Sequence, residues 1–257
     1  AMDFRVVAIG FFVGTMVGLT GMGGGALMTP LLILFGWAKP MMAVGTDLMW
    51  NTLTKCVGGF VHYRQRTVDL RIVKRLAIGS VPGALLGLGL LDHFHRQGGS
   101  SADQLVVQML GVTLLIVAST LLFRTLWPGP VPAAENETVV RGPKWVTPAL
   151  GFVVGFLVSL TSVGSGSLIV ATLVVIYPFV PLKKIVGSDI VHAVLLVGVS
   201  AVGHLEMGSI NLPLLAGMLL VSLPGVWIGS RMSTVFPPRI LRPILAGTLM
   251  FLGYKLL

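Results

Sequence analysis

The chain has 257 residues, of which 54% are hydrophobic and only 11% charged, with a mean hydropathy of +0.93 and a net charge of +9. A soluble domain uses about 25% charged residues to cover its surface, so this composition excludes an ordinary soluble enzyme or binding module and indicates an all-α polytopic membrane protein. The basic residues lie in loops between apolar runs and not on one solvated face, which speaks for membrane topology and against nucleic acid, and the lone Cys56 supplies no disulfide framework.

Apolar segments are expected roughly at Phe4 to Leu19, Ala26 to Trp37, Met41 to His62, Ile72 to Leu91, Leu105 to Phe123, Trp145 to Leu160, Leu168 to Phe179, Ile185 to His204, Leu212 to Ser230 and Ile240 to Leu256. The first run is not followed by an Ala-x-Ala cleavage site and is read as a retained segment. A full crossing needs about 20 residues, so the first two segments of each half read as short helices, either re-entrant or tilted. The long polar stretch Pro128 to Lys144 reads as a linker, dividing the chain into repeats at 4–125 and 145–257 joined by 126–144.

The two halves are copies. Gly10-Phe11-x-Val13-Gly14 returns as Gly151-Phe152-x-Val154-Gly155, an offset of 141 (10 to 151). Val44-Gly45-Thr46-Asp47 then returns as Val186-Gly187-Ser188-Asp189, His62 as His204 and Pro82-Gly83 as Pro224-Gly225, an offset of 142 (44 to 186). Arg64, Arg66, Arg71, Lys74 and Arg75 crowd the stretch after the third segment, whereas Leu205 to Asn211 holds Glu206 and no basic residue. The positive-inside tendency puts the first stretch in the cytoplasm and the second outside. Lys183, Lys184, Arg231, Arg239 and Arg242 fit this scheme, while Arg5 and Lys39 fit it poorly. An odd number of segments per half gives two inverted-topology repeats of about five hydrophobic segments each, the plan of many secondary transporters.

Each half carries a glycine-rich break, Thr20-Gly21-Met22-Gly23-Gly24-Gly25 in the first and Thr161-Ser162-Val163-Gly164-Ser165-Gly166-Ser167 in the second. Glycine lets the backbone leave a helix, so the helices beginning near Gly25 and Gly166 are expected to start within the membrane. Converging helix N-termini carry free N–H groups and positive dipole ends, a setting for a small compact anion, with Thr20, Thr161, Ser162, Ser165 and Ser167 adding hydroxyls. Close helix packing through small residues is the competing explanation for such runs.

Gly-x-Gly-Gly-Gly at 21–25 with Pro30, then Val44-Gly45-Thr46-Asp47 and Pro82-Gly83-Ala84, resembles the sulfite exporter TauE/SafE family of membrane permeases across nearly the whole chain. The resemblance implies export of sulfite or of organosulfonates such as sulfoacetate across a bacterial inner membrane. The second copy departs from the pattern, with Gly164-Ser165-Gly166 in place of three glycines and Ala171 in place of Pro30, so the half-sites are expected to be unequal.

Asp47 and Asp189 are costly inside a membrane and mark function by default. As carboxylates they would repel an anion, so a proton-coupling or gating role suits them; the competing reading has each capping the start of its helix. Asn51 and Lys55 follow Asp47 by four and eight residues on one helical face, and Lys55, matched by Val197, is a candidate counter-ion or anion ligand. His192 stands one turn after Asp189 in the place of Trp50 and is positioned to touch a central cavity; Trp50 could wall that site or pack. His62 and His204 read as interfacial, and the Pro-Gly pairs as points where helices approach or kink. No metal or cofactor is expected. A passive anion channel and, more remotely, an intramembrane aspartyl protease are the alternatives; the oligomeric state is open.

Overall fold

The computed structural model describes residues 4–20, 25–126, 145–232 and 238–257, so the break at Gly21, Gly23 and Gly24 and the expected linker beyond Leu126 lie outside the described residues. Its elements are α1 (Phe4–Thr20), α2 (Gly25–Leu34), α3 (Pro40–Arg64), α4 (Leu70–Gln97), α5 (Gly99–Leu126), α6 (Val146–Thr161), α7 (Ser167–Ile176), α8 (Leu182–Glu206), α9 (Leu212–Met232) and α10 (Pro238–Leu256). They coincide with the expected apolar runs. The described residues form no strand, as expected where a bilayer forces every backbone polar group to be satisfied within the segment.

Among the described residues four helices are long and apolar enough to cross a membrane: α4, α5 up to Phe123, α8, and α9 up to Gly229. By contrast α2 and α7 have 10 residues each, which at about 1.5 Å per residue reaches roughly half of a 30 Å hydrocarbon layer. Large side chains such as Phe12, Leu85, Val153, Leu220, Trp227 and Phe251 point outward, an exterior suited to lipid. The interior holds Thr29, Asp47, Asn51, Ser80, Ser162, Ser165, Asp189, His192 and Ser222.

The most extensive interhelical contacts come in duplicate, with the halves exchanged. Helix α1 packs on α9 as α6 packs on α4, while α3 pairs with α8 and α5 with α10. A side chain at Gly14 would strike the backbone of Ser222, and one at Gly155 the backbone of Ser80; Gly83 abuts Phe152 and Gly225 abuts Phe11. The Pro-Gly pairs therefore serve close helix approach. Helix α3 runs antiparallel to α8, since Gly45 meets His204 and Ser209 while Gly59 meets Val191 and Gly187 meets Thr67.

Candidate functional site

Helix α6 ends at Ser162, whose φ of 61° is left-handed, and the chain turns through Gly164 and Gly166, at φ of 109° and 130°, before α7 starts. Thr161 stabilises this ending: its hydroxyl donates to the Leu157 carbonyl (2.7 Å) and accepts from the Val163 N–H (3.2 Å), so that hydroxyl is engaged with backbone. Val170 N–H makes the first backbone bond of α7, to Gly166 (2.9 Å). The N–H groups of Ser167, Leu168 and Ile169 thus stand at a helix start without an intrahelical acceptor. The first residue of α2, Gly25, lies against the Ser162 carbonyl so closely that a Cβ would collide with it. The starts of α2 and the loop leading into α7 therefore meet. The side chain of Thr20 is outside the described set.

Asp47 is buried seven residues into α3, which begins at Pro40, and Asp189 is buried seven residues into α8, which begins at Leu182. The capping reading is overturned for both, because the apolar residues preceding each aspartate continue the helix instead of leading into it. Caps exist elsewhere: Asp69 Oδ1 accepts from the Arg71 N–H (2.9 Å) at α4, and Asn211 Oδ1 accepts from the Leu214 N–H (3.0 Å) at α9.

Thr29 on α2 donates to Asp47 Oδ2 (2.8 Å), while Asp47 Oδ1, Asp189 Oδ1 and His192 Nδ1 are buried without a hydrogen-bond partner. Unpartnered buried polar atoms are uncommon, and each has room for a water, an ion or a solute group as its partner. Lys55, half-buried on α3, donates from Nζ to the Ser165 carbonyl (3.1 Å) and hydroxyl (2.8 Å) and lies within electrostatic reach of Asp47 and Asp189. It forms no direct ion pair with either; the ion pair found among the described residues is Arg96 with Asp92 (2.9 Å) at the end of α4. Asn51 Nδ2 reaches Ser162 Oγ at a long 3.4 Å. One face of α3 thus presents Asp47, Asn51 and Lys55 to the α6–α7 break.

His192 is buried on α8, with Nε2 hydrogen-bonded to Ser80 Oγ (2.7 Å); Trp50, its counterpart, is buried and donates Nε1–H to Ser222 Oγ (2.8 Å). Trp50 therefore packs, with its indole anchored on α9. The interfacial reading of His204 is corrected. It is fully buried, donates Nε2–H to the Ser159 carbonyl (2.9 Å) and bonds Ser209 Oγ through Nδ1 (2.8 Å), because the α8–α9 turn folds back over the end of α8.

Thr29, Ser80 and Ser222 belong to this network without having been singled out from sequence. For the serines the signal was available, since 80 to 222 is the same offset of 142 that relates the aspartates. For Thr29 the repeat pointed away, because Val170 occupies its place in the second copy. Thr29→Val removes the donor to Asp47 Oδ2 at little change in volume. It is expected to destabilise the protein by about 1–3 kcal/mol, read by denaturant unfolding in detergent.

Among the described residues no group of three His, Cys, Asp or Glu side chains comes together as a metal site. The sequence profile of the sulfite exporter TauE/SafE family matches residues 6–256. The chain is 40% identical over 257 residues to the probable membrane transporter protein YjnA of Bacillus subtilis (strain 168), covering 100% of both chains. It is 27% identical over 243 residues to YunE of the same organism, also a probable membrane transporter protein, covering 90% of this chain and 87% of that one. A third relative there, YdhB, with the same description, is 22% identical over 251 residues, 95% of this chain and 98% of its own. No solved structure matches the chain. A profile match over almost the whole length, carried on a bundle of apolar helices with a polar interior, makes this chain a member of the sulfite exporter TauE/SafE family and a multi-pass membrane transporter.

Proposed function

We propose that the protein is a proton-coupled secondary exporter of small sulfur-containing anions, sulfite or organosulfonates of the sulfoacetate kind, across the bacterial inner membrane. The repeats at 4–125 and 145–257 are inverted with respect to each other about the 126–144 linker. The anion is held at the glycine-rich starts of α2 and α7, by the backbone at Gly21, Gly23, Gly24, Gly25, Gly164 and Gly166 and the hydroxyls of Thr20, Ser162, Ser165 and Ser167. Asn51, Lys55, Thr161 and His192 complete the binding set, and Asp47 and Asp189 carry the coupling proton.

One observation carries this reading: the start of α2 abuts Ser162 while Lys55 reaches Ser165, so a cation and a helix start meet at the same break. A helix start attracts an anion through its N–H groups and dipole, and an ammonium in a low-dielectric interior adds to that attraction. The aspartates suit coupling because a carboxyl group that is neutral when protonated can share the interior with an anion, and a charged one opposes it. An aspartyl protease is disfavoured, since no hydrogen bond joins the two carboxyl groups.

The test is flux in proteoliposomes under an imposed proton gradient. Wild-type protein is expected to accumulate sulfite or sulfoacetate uphill, and Asp47→Asn and Asp189→Asn to abolish accumulation while binding stays within a few-fold. Unchanged accumulation in both variants removes the proton role. Dissipation of every gradient, with no uphill movement by wild type, makes the protein a channel.

A further inference from the structure

The residue immediately before each aspartate is held by a turn of the other half. At one end of the α3–α8 pair, Thr67 folds back on α3: its N–H and hydroxyl donate to the His62 carbonyl (3.2 and 3.0 Å), and Oγ1 is hydrogen-bonded to His62 Nδ1 (2.9 Å). The turn then seats on α8. The Thr67 carbonyl fills the space where Gly187 lacks a side chain, and the Asp69 N–H donates to Ser188 Oγ (2.8 Å).

The same device recurs at the other end. Ser209 N–H donates to the His204 carbonyl (3.0 Å), the Ser209 hydroxyl lies within reach of both that carbonyl (2.9 Å) and His204 Nδ1 (2.8 Å), the Ser209 carbonyl sits on Gly45, and the Asn211 N–H donates to Thr46 Oγ1 (3.0 Å). Because α3 and α8 are antiparallel, the two clamps lie at opposite ends. A merely stabilising turn needs no such placement, whereas both clamps grip the Gly-Thr or Gly-Ser step that leads into Asp47 or Asp189.

The clamps are also unequal. His204 is fully buried and carries the additional bond to the Ser159 carbonyl, while His62 is only partly buried. Beyond the His204 clamp lies a cavity of about 500 Å³ bounded by Met207, Gly208 and Ser209 on the turn, with Lys39 and His95 among its other walls. The Asp103 carboxylate lines the same cavity.

We propose that the α3–α4 and α8–α9 turns are the two gates of the transport cycle, each closing over the aspartate of the opposite half, with His62–Thr67 and His204–Ser209 as positioning pairs. Release of the Ser188 contact opens the end carrying the arginine-rich loop, release of the Thr46 contact opens the end carrying Glu206, and the aspartate beside each contact sets which is released. The structure has both engaged. The proposal rests on the coupling role given to Asp47 and Asp189 above.

In a Cys56→Ser background, two cysteine pairs test it, Asp69→Cys with Ser188→Cys and Asn211→Cys with Thr46→Cys. Oxidation is expected to form each disulfide and to lower sulfoacetate flux in proteoliposomes at least tenfold, reversibly on reduction; sulfite is avoided because it cleaves disulfides. Disulfides that fail to form, or flux equal in oxidised and reduced protein, overturn the gates. A second measurement needs no substrate: labelling of a single cysteine at 69 or at 211 by a membrane-impermeant maleimide. Asp189→Asn is expected to change labelling at 69 several-fold and Asp47→Asn that at 211, each leaving the other site unchanged. Labelling indifferent to both substitutions refutes the gates, and reduced pairs that move no sulfoacetate while labelling responds crosswise refute the substrate reading alone.

Discussion

Lys55→Met is expected to abolish uphill anion accumulation and to weaken anion binding by roughly a hundredfold or more, as isothermal titration on purified protein would show. The ammonium donates to the Ser165 carbonyl and hydroxyl and faces two buried carboxyl groups, so its removal loses two contacts at the α6–α7 break and the interior's compensating charge. A hydrogen bond from a charged group is worth about 1.5–3 kcal/mol, and about 2.7 kcal/mol already corresponds to a hundredfold in binding. Methionine keeps the unbranched apolar stem as far as Cε and lacks only the ammonium, so packing changes little. Combining Lys55→Met with Asp189→Asn removes one charge of each sign. Folding stability is expected to recover in the double variant while binding does not, which separates a structural counter-ion from an anion ligand. Recovery of binding in the double variant would assign Lys55 to charge balance alone. Lys55→Arg is expected to be intermediate, since a planar guanidinium does not reproduce two contacts made by one nitrogen.

The second large effect concerns folding. Gly83→Leu is expected to abolish recovery of monodisperse protein or to cost several kcal/mol, whereas Gly89→Leu, six residues on in the same helix, is expected to be nearly neutral. A Cβ at Gly83 would collide with the backbone of Phe152 on α6, and a backbone cannot rotate away as a side chain can. A Cβ at Gly89 meets nothing within 4 Å. Both substitutions replace glycine by a stronger helix former, so propensity predicts a gain at each, and only interhelical approach distinguishes them. Size-exclusion recovery and thermal unfolding in detergent read the difference. Equal behaviour of the two variants would mean that α4 and α6 are not held at backbone distance in the membrane. The duplicated contact makes a parallel expectation for Gly225, which abuts Phe11 on α1.

Much of this protein was legible in its sequence because membrane insertion acts locally: an apolar run of sufficient length is a helix wherever it lies, since lipid offers its backbone no other partner. The approximate positions of the ten described helices, the shortness of α2 and α7 and the duplication of the motifs followed from hydropathy and self-comparison. Helical spacing likewise put Asp47, Asn51 and Lys55 on one face before any neighbour was known.

What crosses from one helix to another was decided only by tertiary structure. That α2 begins against Ser162, that Thr29 serves Asp47, that Lys55 reaches Ser165 instead of pairing directly with a carboxylate, and that His204 is enclosed under a turn all depend on which helix faces which. The capping reading of the aspartates failed for the same reason. A local rule favours Asp at a helix start, but Pro40 and Leu182 had already begun those helices, and burial against the opposite half placed both carboxyl groups in the interior. Apolar periodicity carries information about lipid and about one helix face; hydrogen-bond partners across an interface carry no periodic signature, so they become visible only when the helices are assembled.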